Sequence, residues 1–291
     1  MEIGFGLPNA VPGVGRDSLL ESARRAERRG FSSLGTIGRL VYPNFECIVS
    51  LAAAAAVTER IRLMPTILIA PYHANAALLA KQVASLDALS GGRLVLGVGL
   101  GAREDDYEAS GVPYKGRGRR LEQQLEEMKR IWAGEERGYA GAIGPPPVQE
   151  GGPPIMIGGG GDASFERVAR YGAGWLMAAL PPDQFVASAP KVDEAWKRAG
   201  RPGKPRKASI TYFALGPNAQ AAAEKDLKHY YSWLGDEVAS MIAGGAATTE
   251  DAVRTVAQAF EDAGCDELLF IPASAEPEQA DLLAEAVGLG A

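Results

Sequence analysis

The sequence is poor in the residues on which many enzymes build their chemistry. Two histidines, His73 and His229, and two cysteines, Cys47 and Cys265, are all that 291 residues contain. So few histidines exclude a His-rich metal centre and leave a hydrolase triad few candidate bases. Two cysteines are too few for a disulfide framework or a zinc cage, and their scarcity suits a reducing, cytoplasmic setting. A long apolar run is missing too: the longest, Ile48–Val57, is alanine-rich and too short to span a bilayer. No charged-then-apolar leader precedes the strand-like opening "MEIGFGLP". There is no basic surplus, with 30 Lys and Arg against 36 Asp and Glu and a net charge of −6, so a nucleic-acid partner is not expected. Finally, the first strand-like stretch leads into "GLPNAVPGVG", which does not fit the G-x-G-x-x-G dinucleotide fingerprint.

What is present is a regular alternation. Short β-rich runs fall at Glu2–Leu7, Ser32–Ile37, Arg62–Ile69, Arg93–Val98, Pro154–Gly158, Gly174–Ala178, Lys207–Leu215 and Glu267–Ile271. Amphipathic or apolar helical patterns separate them, among them Asp17–Arg29, Phe45–Thr58, Ala76–Leu89, Gly118–Trp132 and Ala219–Leu234. Eight strands each followed by helix predict an α/β fold, a (β/α)8 TIM barrel, as one domain over residues 1–291. Two stretches interrupt the alternation: a Gly/Pro-rich loop, Gly134–Gly152, and an insertion, Gly235–Ala247.

In a barrel the chemistry sits on the loops that follow the strands. "SGGRLVLGVGLGAREDDYEASG" (90–111) ends a buried strand with Gly97, Gly99 and Gly101 and then turns sharply charged. Glycines there let a ligand approach the backbone, although each one alone also serves an ordinary turn. "PIMIGGGGDASFERVARYGAGW" (154–175) runs a strand through four glycines into a helix. Exposed N–H groups at that helix start, with the Ser164 hydroxyl, attract phosphate. Tyr72 and His73 lie just past the third strand, where an imidazole can serve as acid or base. Tyr72, Tyr107, Tyr114 and Phe213 near loop positions would suit a flat apolar substrate.

Together these stretches resemble the luciferase-like monooxygenase family. The resemblance covers nearly the whole chain and is carried by "FSSLGTIGRLVYPN" (31–44), "LLAKQVASLDALSGGRLVLGVGLGAREDDYEASG" (78–111), "RGRRLEQQLEEMKRIW" (117–132) and the four-glycine block. It implies a luciferase-like barrel with insertions in its βα loops, which uses reduced FMN or the deazaflavin coenzyme F420 on a small organic substrate. It implies that the cofactor's phosphate rests on Gly159, Gly160 and Gly161 near Ser164. It further implies that the ring lies over a non-prolyl cis peptide near Ile67 and Leu68, walled by Gly99, Leu100, Gly101 and Ala102. A homodimer is implied as well. With FMN the reaction would be an oxygenation fed by a separate flavin reductase, and with the deazaflavin a hydride transfer; the residues leave both open. A non-catalytic flavin-binding protein of the same fold is the alternative.

The chain departs from the family at three points, one of them Leu100, which stands nearest to where bacterial luciferase has an arginine on the phosphate. Gly38-Arg39 stands where many members have an acidic residue followed by histidine, and Ala102 where some deazaflavin dehydrogenases have a glutamate. Arg39, Tyr42, His73 and Glu104 are therefore the candidate catalytic residues. Arg39 would stabilise negative charge, or else form a rim ion pair. Arg103 with the Lys115–Arg120 cluster would receive an anionic cofactor tail, or else pair with Glu104–Asp106.

Overall fold

The computed structural model describes residues 1–290. In chain order its elements are β1 (Glu2–Gly6), α1 (Arg16–Arg29), β2 (Ser33–Thr36), α2 (Cys47–Ala55), β3 (Arg62–Pro65), β4 (Leu68–Ile69) and α3 (Ala76–Leu89). There follow β5 (Leu96–Gly99), a short α4 (Glu104–Ala109), α5 (Arg117–Trp132), β6 (Ile155–Gly158), α6 (Asp162–Tyr171), β7 (Gly174–Met177) and α7 (Pro182–Arg198). The chain closes with β8 (Arg206–Phe213), α8 (Ala219–Tyr230), a 3-10 turn (Ser232–Leu234), α9 (Asp236–Gly244), α10 (Glu250–Asp262), β9 (Glu267–Pro272) and α11 (Gln279–Val287).

Local signals explain most of these bounds. Leu121, Leu125, Met128, Ile131 and Trp132 recur at helical spacing and form the buried stripe of α5. Thr249 caps α10 by accepting the Ala252 N–H, and α1 stops at Gly30, whose φ of 83° suits glycine. The helix expected over Phe45–Thr58 is shorter, because the Glu46 carboxylate caps it by accepting the Val49 N–H.

All strand pairs are parallel, in the order β3-β2-β1-β9-β8-β7-β6-β5-β4. The two outermost members are consecutive in sequence. The expected strand Arg62–Ile69 is broken by a cis peptide at Thr66-Ile67, one residue before the position the family resemblance implied. Its first half pairs with β2, its second half pairs with β5, and Leu63 bridges Leu94. Counted as one stave, the broken strand completes an eight-staved barrel, the expected (β/α)8 fold.

The glycines of the fourth stave serve this break. A Cβ on Gly97 would overlap the Pro65 carbonyl oxygen, one on Gly99 would overlap Ile67 Cδ1, and one on Gly101 would meet Ile69 at 2.9 Å. Alternate positions along β5 and just past its end thus vacate the space that alternate residues of the neighbouring stave fill.

The apolar core has two main compartments and a small third cluster of Ile69, Tyr72 and Tyr107. Met64, Met156, Leu176, Ile210 and Leu269 fill the barrel, while Leu34, Leu63, Val98, Trp175 and Phe270 face the surrounding helices. The expected insertion carries α9. The Gly134–Gly152 loop runs across the N-terminal end of the barrel, where the fully buried Asp87 carboxylate accepts the backbone N–H groups of Val148 and Gln149 at 2.8 and 3.1 Å.

Candidate active site

At the C-terminal ends of the strands a cavity of about 360 Å³ opens to solvent. Ile37, Ile69, Leu176 and Ile210 give it an apolar lining, and Ile67 forms its floor beside the break in the third stave. Leu100, Gly101, Ala102, Gly158 and Gly159 supply backbone walls. Among the described residues no carboxylate and no imidazole lines it.

Six of the residues singled out from sequence meet here: Arg39, Ile67, Leu100, Gly101, Ala102 and Gly159. Leu68 points outward into the helix-facing core, and Gly99 lies beneath Ile67. Gly160, Gly161 and Ser164 lie outside the lining, at the start of α6. Gly159 has φ +136°, and a Cβ on it would overlap the Ser164 side chain, so this turn has room only for bare backbone.

Arg39 is 9% exposed and approaches the fully buried Asp106, Nη2 to Oδ2, at 2.9 Å. The contact is ionic without hydrogen-bond alignment, which leaves Arg39 Nε and Nη2 with no hydrogen-bond partner. The other Asp106 oxygen accepts the N–H groups of Leu40 and Val41 at 3.1 and 2.8 Å. Asp106 therefore fastens the loop after β2 and faces the arginine at the same time. Of the two roles foreseen for Arg39 the structure shows the ion pair, buried rather than on the rim, and it also places the side chain in the cavity lining.

The other three catalytic candidates lie elsewhere. Tyr42 donates to or accepts from His229 Nδ1 at 2.8 Å in a surface notch, and burial raises its phenol. His73 stacks on Tyr72, its ring centroid 4.7 Å away; burial shifts its imidazole below the ordinary range, and its Nε2 has no partner. Glu104 is exposed on the first turn of α4. Tyr72, Tyr107 and Tyr114 pack edge to face in a cluster of their own, and Phe213 is fully buried in the core, so the aromatic wall foreseen from them is not the cavity's.

That wall comes instead from Tyr212, at the end of β8, and from Tyr230, Tyr231 and Trp233, where α8 runs into the 3-10 turn. The sequence signal was the run "HYYSW" (229–233) just ahead of the insertion. Four cations stand further out. Lys115, Arg117, Arg119 and Arg120 flank the start of α5, and among the described residues none makes an ion pair. Arg117 lies over the Tyr114 ring at 3.7 Å. The start of α5 abuts α6, since Arg167 packs on Gly118 and pairs with Glu122 at 2.8 Å.

A family model described as luciferase-like monooxygenase matches residues 1–291. The chain belongs to that family of oxidoreductases. An uncharacterised protein of Mycobacterium tuberculosis is 36% identical over 167 residues, 54% of this chain and 58% of that protein. The chain thus spans a little over half the length of that relative. A solved F420-dependent secondary alcohol dehydrogenase in complex with an F420-acetone adduct superposes with a TM-score of 0.80 at 19% identity, over 98% of each chain. The oxygenating constituent of 3,6-diketocamphane monooxygenase from Pseudomonas putida, a type II Baeyer-Villiger enzyme in complex with FMN, gives 0.72 at 18% identity, over 100% of this chain and 99% of that one. The fold therefore houses both deazaflavin and FMN. No helix among the described residues is long and apolar enough to cross a membrane.

Proposed function

We propose that the chain is an oxidoreductase that binds the deazaflavin coenzyme F420 across the barrel mouth and acts on a small, largely apolar organic substrate. The observation that carries this reading is the set of four cations without ion pairs among the described residues, Lys115, Arg117, Arg119 and Arg120, around the start of α5, the helix whose Gly118 packs against Arg167 of α6. A single phosphate needs only a glycine turn at a helix start. The deazaflavin continues past its phosphate into a tail of carboxylates, and a field of free cations matches that tail.

The residues fit such a group. Bare backbone at Gly158 and Gly159 admits a planar ring closely, and Ile67 supports it from below. Arg39, its charge offset by Asp106 behind it, brings a guanidinium whose Nε and Nη2 have no hydrogen-bond partner to a wall with no carboxylate of its own, where a ligand oxygen can accept from them. The apolar lining leaves few groups to hold water beside the reacting atoms once a ligand covers the mouth. Bound there, the deazaflavin supplies two electrons and a hydrogen together and reacts poorly with oxygen.

The test is an anaerobic titration of the full chain with the deazaflavin and, separately, with reduced FMN. Tighter binding of the deazaflavin is expected. The exposed pair Lys115→Glu and Arg119→Glu should weaken it by about tenfold, equivalent to about 1.4 kcal/mol, and leave FMN nearly unaffected. Tight binding of reduced FMN alone would replace this reading with an oxygenating enzyme that depends on a separate reductase.

A further inference from the structure

One wall of the cavity holds hydroxyl groups that no role above uses. Alternation along β8 puts Ala208, Ile210 and Tyr212 on the inner face, so Tyr212, last in the series, ends at the cavity. Tyr231, which follows the last turn of α8, lines the same cavity, and its hydroxyl lies 2.8 Å from that of Tyr212. Tyr212 is 6% exposed, whereas Tyr231 is only half-buried. A buried O–H without an acceptor is costly, and the only partner of the Tyr212 hydroxyl among the described residues is Tyr231. Tyr212 therefore donates, and the proton of Tyr231 is left to point into the cavity.

Competing proton donors are few. No carboxylate or imidazole lines the cavity, Arg39 does not give up its proton, and the Thr66 hydroxyl donates to the Thr36 carbonyl at 3.2 Å. Tyr230 lines the cavity too, but among the described residues no donor reaches its hydroxyl to steady a phenolate.

We propose, resting on the deazaflavin reading for the electron source, that Tyr231 is the catalytic proton donor to a substrate oxygen, that Tyr212 is its positioning residue, and that the substrate is one of a carbonyl–alcohol pair. In the reducing direction the carbonyl carbon gains two electrons and one hydrogen from the reduced deazaflavin. Its oxygen gains the Tyr231 proton, so C=O becomes CH–OH, and the phenolate regains a proton from solvent. Alcohol oxidation reverses each transfer. Burial holds the Tyr231 phenol above its ordinary range, while the hydrogen bond from Tyr212 and the charge of Arg39 work against that rise. A phenolate on Tyr231 would thus meet a charge-assisted hydrogen bond already in place.

The test uses 4-nitrophenol, whose neutral and anionic forms differ in colour, titrated into the full chain with and without oxidised deazaflavin. Tyr231→Phe is expected to weaken binding of the probe by about tenfold in both states and to abolish turnover of simple ketones. Tyr212→Phe, which leaves the Tyr231 hydroxyl in place, is expected to bind the probe but to lower the fraction held as anion, a change that a merely structural role for Tyr212 would not produce. Both variants should take up deazaflavin as the unmodified chain does. Unchanged probe affinity in Tyr231→Phe, or an unchanged anion fraction in Tyr212→Phe, overturns the proposal; the second variant decides it if the first does not fold. A chain that takes up no deazaflavin overturns the proposed cofactor, while the probe titration of the cofactor-free chain still decides the role of Tyr231.

Discussion

At the N-terminal ends of the strands, Glu267 is 2% exposed and accepts hydrogen bonds from Ser32 and Ser33 at 2.6 Å each and from Arg62 and Arg206 at 3.1 and 3.0 Å. Arg93 nearby divides its guanidinium among the carbonyls of Ala55, Thr58, Ile61 and Ser90. At the opposite end Arg39 keeps two nitrogens without a hydrogen bond, and Asp226 Oδ1 and His73 Nε2 have no partner either. A buried polar group left unpaired costs about 1–3 kcal/mol. Around Glu267 and Arg93 the base of the barrel is therefore scaffold, where each of these charges is answered. The mouth gives up stability and keeps groups ready for a ligand.

Three substitutions would break or sharpen this contrast. The largest effect is expected from Glu267→Gln. Burial raises the Glu267 carboxyl, but the hydrogen bonds of Ser32 and Ser33 and the guanidinium groups of Arg62 and Arg206 more than offset this and hold it below the ordinary range. Removing the charge leaves Arg62 and Arg206 facing only Glu2, and urea unfolding should show a loss of about 3–5 kcal/mol. Ligand affinity of the folded fraction should not change. A loss below about 1 kcal/mol would place the network among ordinary surface pairs.

Asp106→Asn should have a smaller and mixed effect. It keeps an acceptor for Leu40 and Val41 but removes the charge facing Arg39. Stability should fall by about 2 kcal/mol, while affinity for 4-nitrophenolate rises a few-fold because the guanidinium is no longer neutralised. If both quantities fall together, the loop has moved and Asp106 acts only as a fastener.

Asp226→Asn should have the smallest effect, and its sign depends on pH. Burial pushes the Asp226 carboxyl up to about 7 from 3.8. An acid raised in this way favours the folded state while protonated, so its contribution is complete below the unfolded value and disappears as pH rises through the folded one. The variant should match the parent near pH 4 and exceed it by about 1–2 kcal/mol near pH 8, a gap that thermal melts across that range would reveal. A gap that shrank with rising pH would refute the burial argument.

The fold was legible because periodicity survives in a single chain: each barrel stave has its β-rich run, and α3 occupies Ala76–Leu89 as read. The break in the third stave was not legible from the residues, since "LMPTILIA" reads as one apolar strand. The backbone walls of the cavity were visible in the glycines, because glycine at a strand end already signals close approach. The side-chain wall was not. Tyr42, Tyr230 and Tyr231 are the same residue type near similar loop ends, and only the path of α8 decides that two of them face the cavity while Tyr42 turns to His229. Asp106 hid inside a charged run whose other acidic members are either exposed, as Glu104 and Glu108 are, or half-buried and paired with Arg103, as Asp105 is.

The glycine ladder beside the broken stave has one more effect. Ile67 reaches across the seam into the room that Gly99 leaves and lies 3.1 Å from where a Cβ on Gly158 would stand. It is a shelf whose height is set by a single side chain. Exchange of Ile67 for valine, one methylene shorter, would lower that shelf and leave both the rim and the foundation of the barrel as they are. How thick a guest fits is therefore encoded apart from which atom of it is gripped, and the two can drift independently.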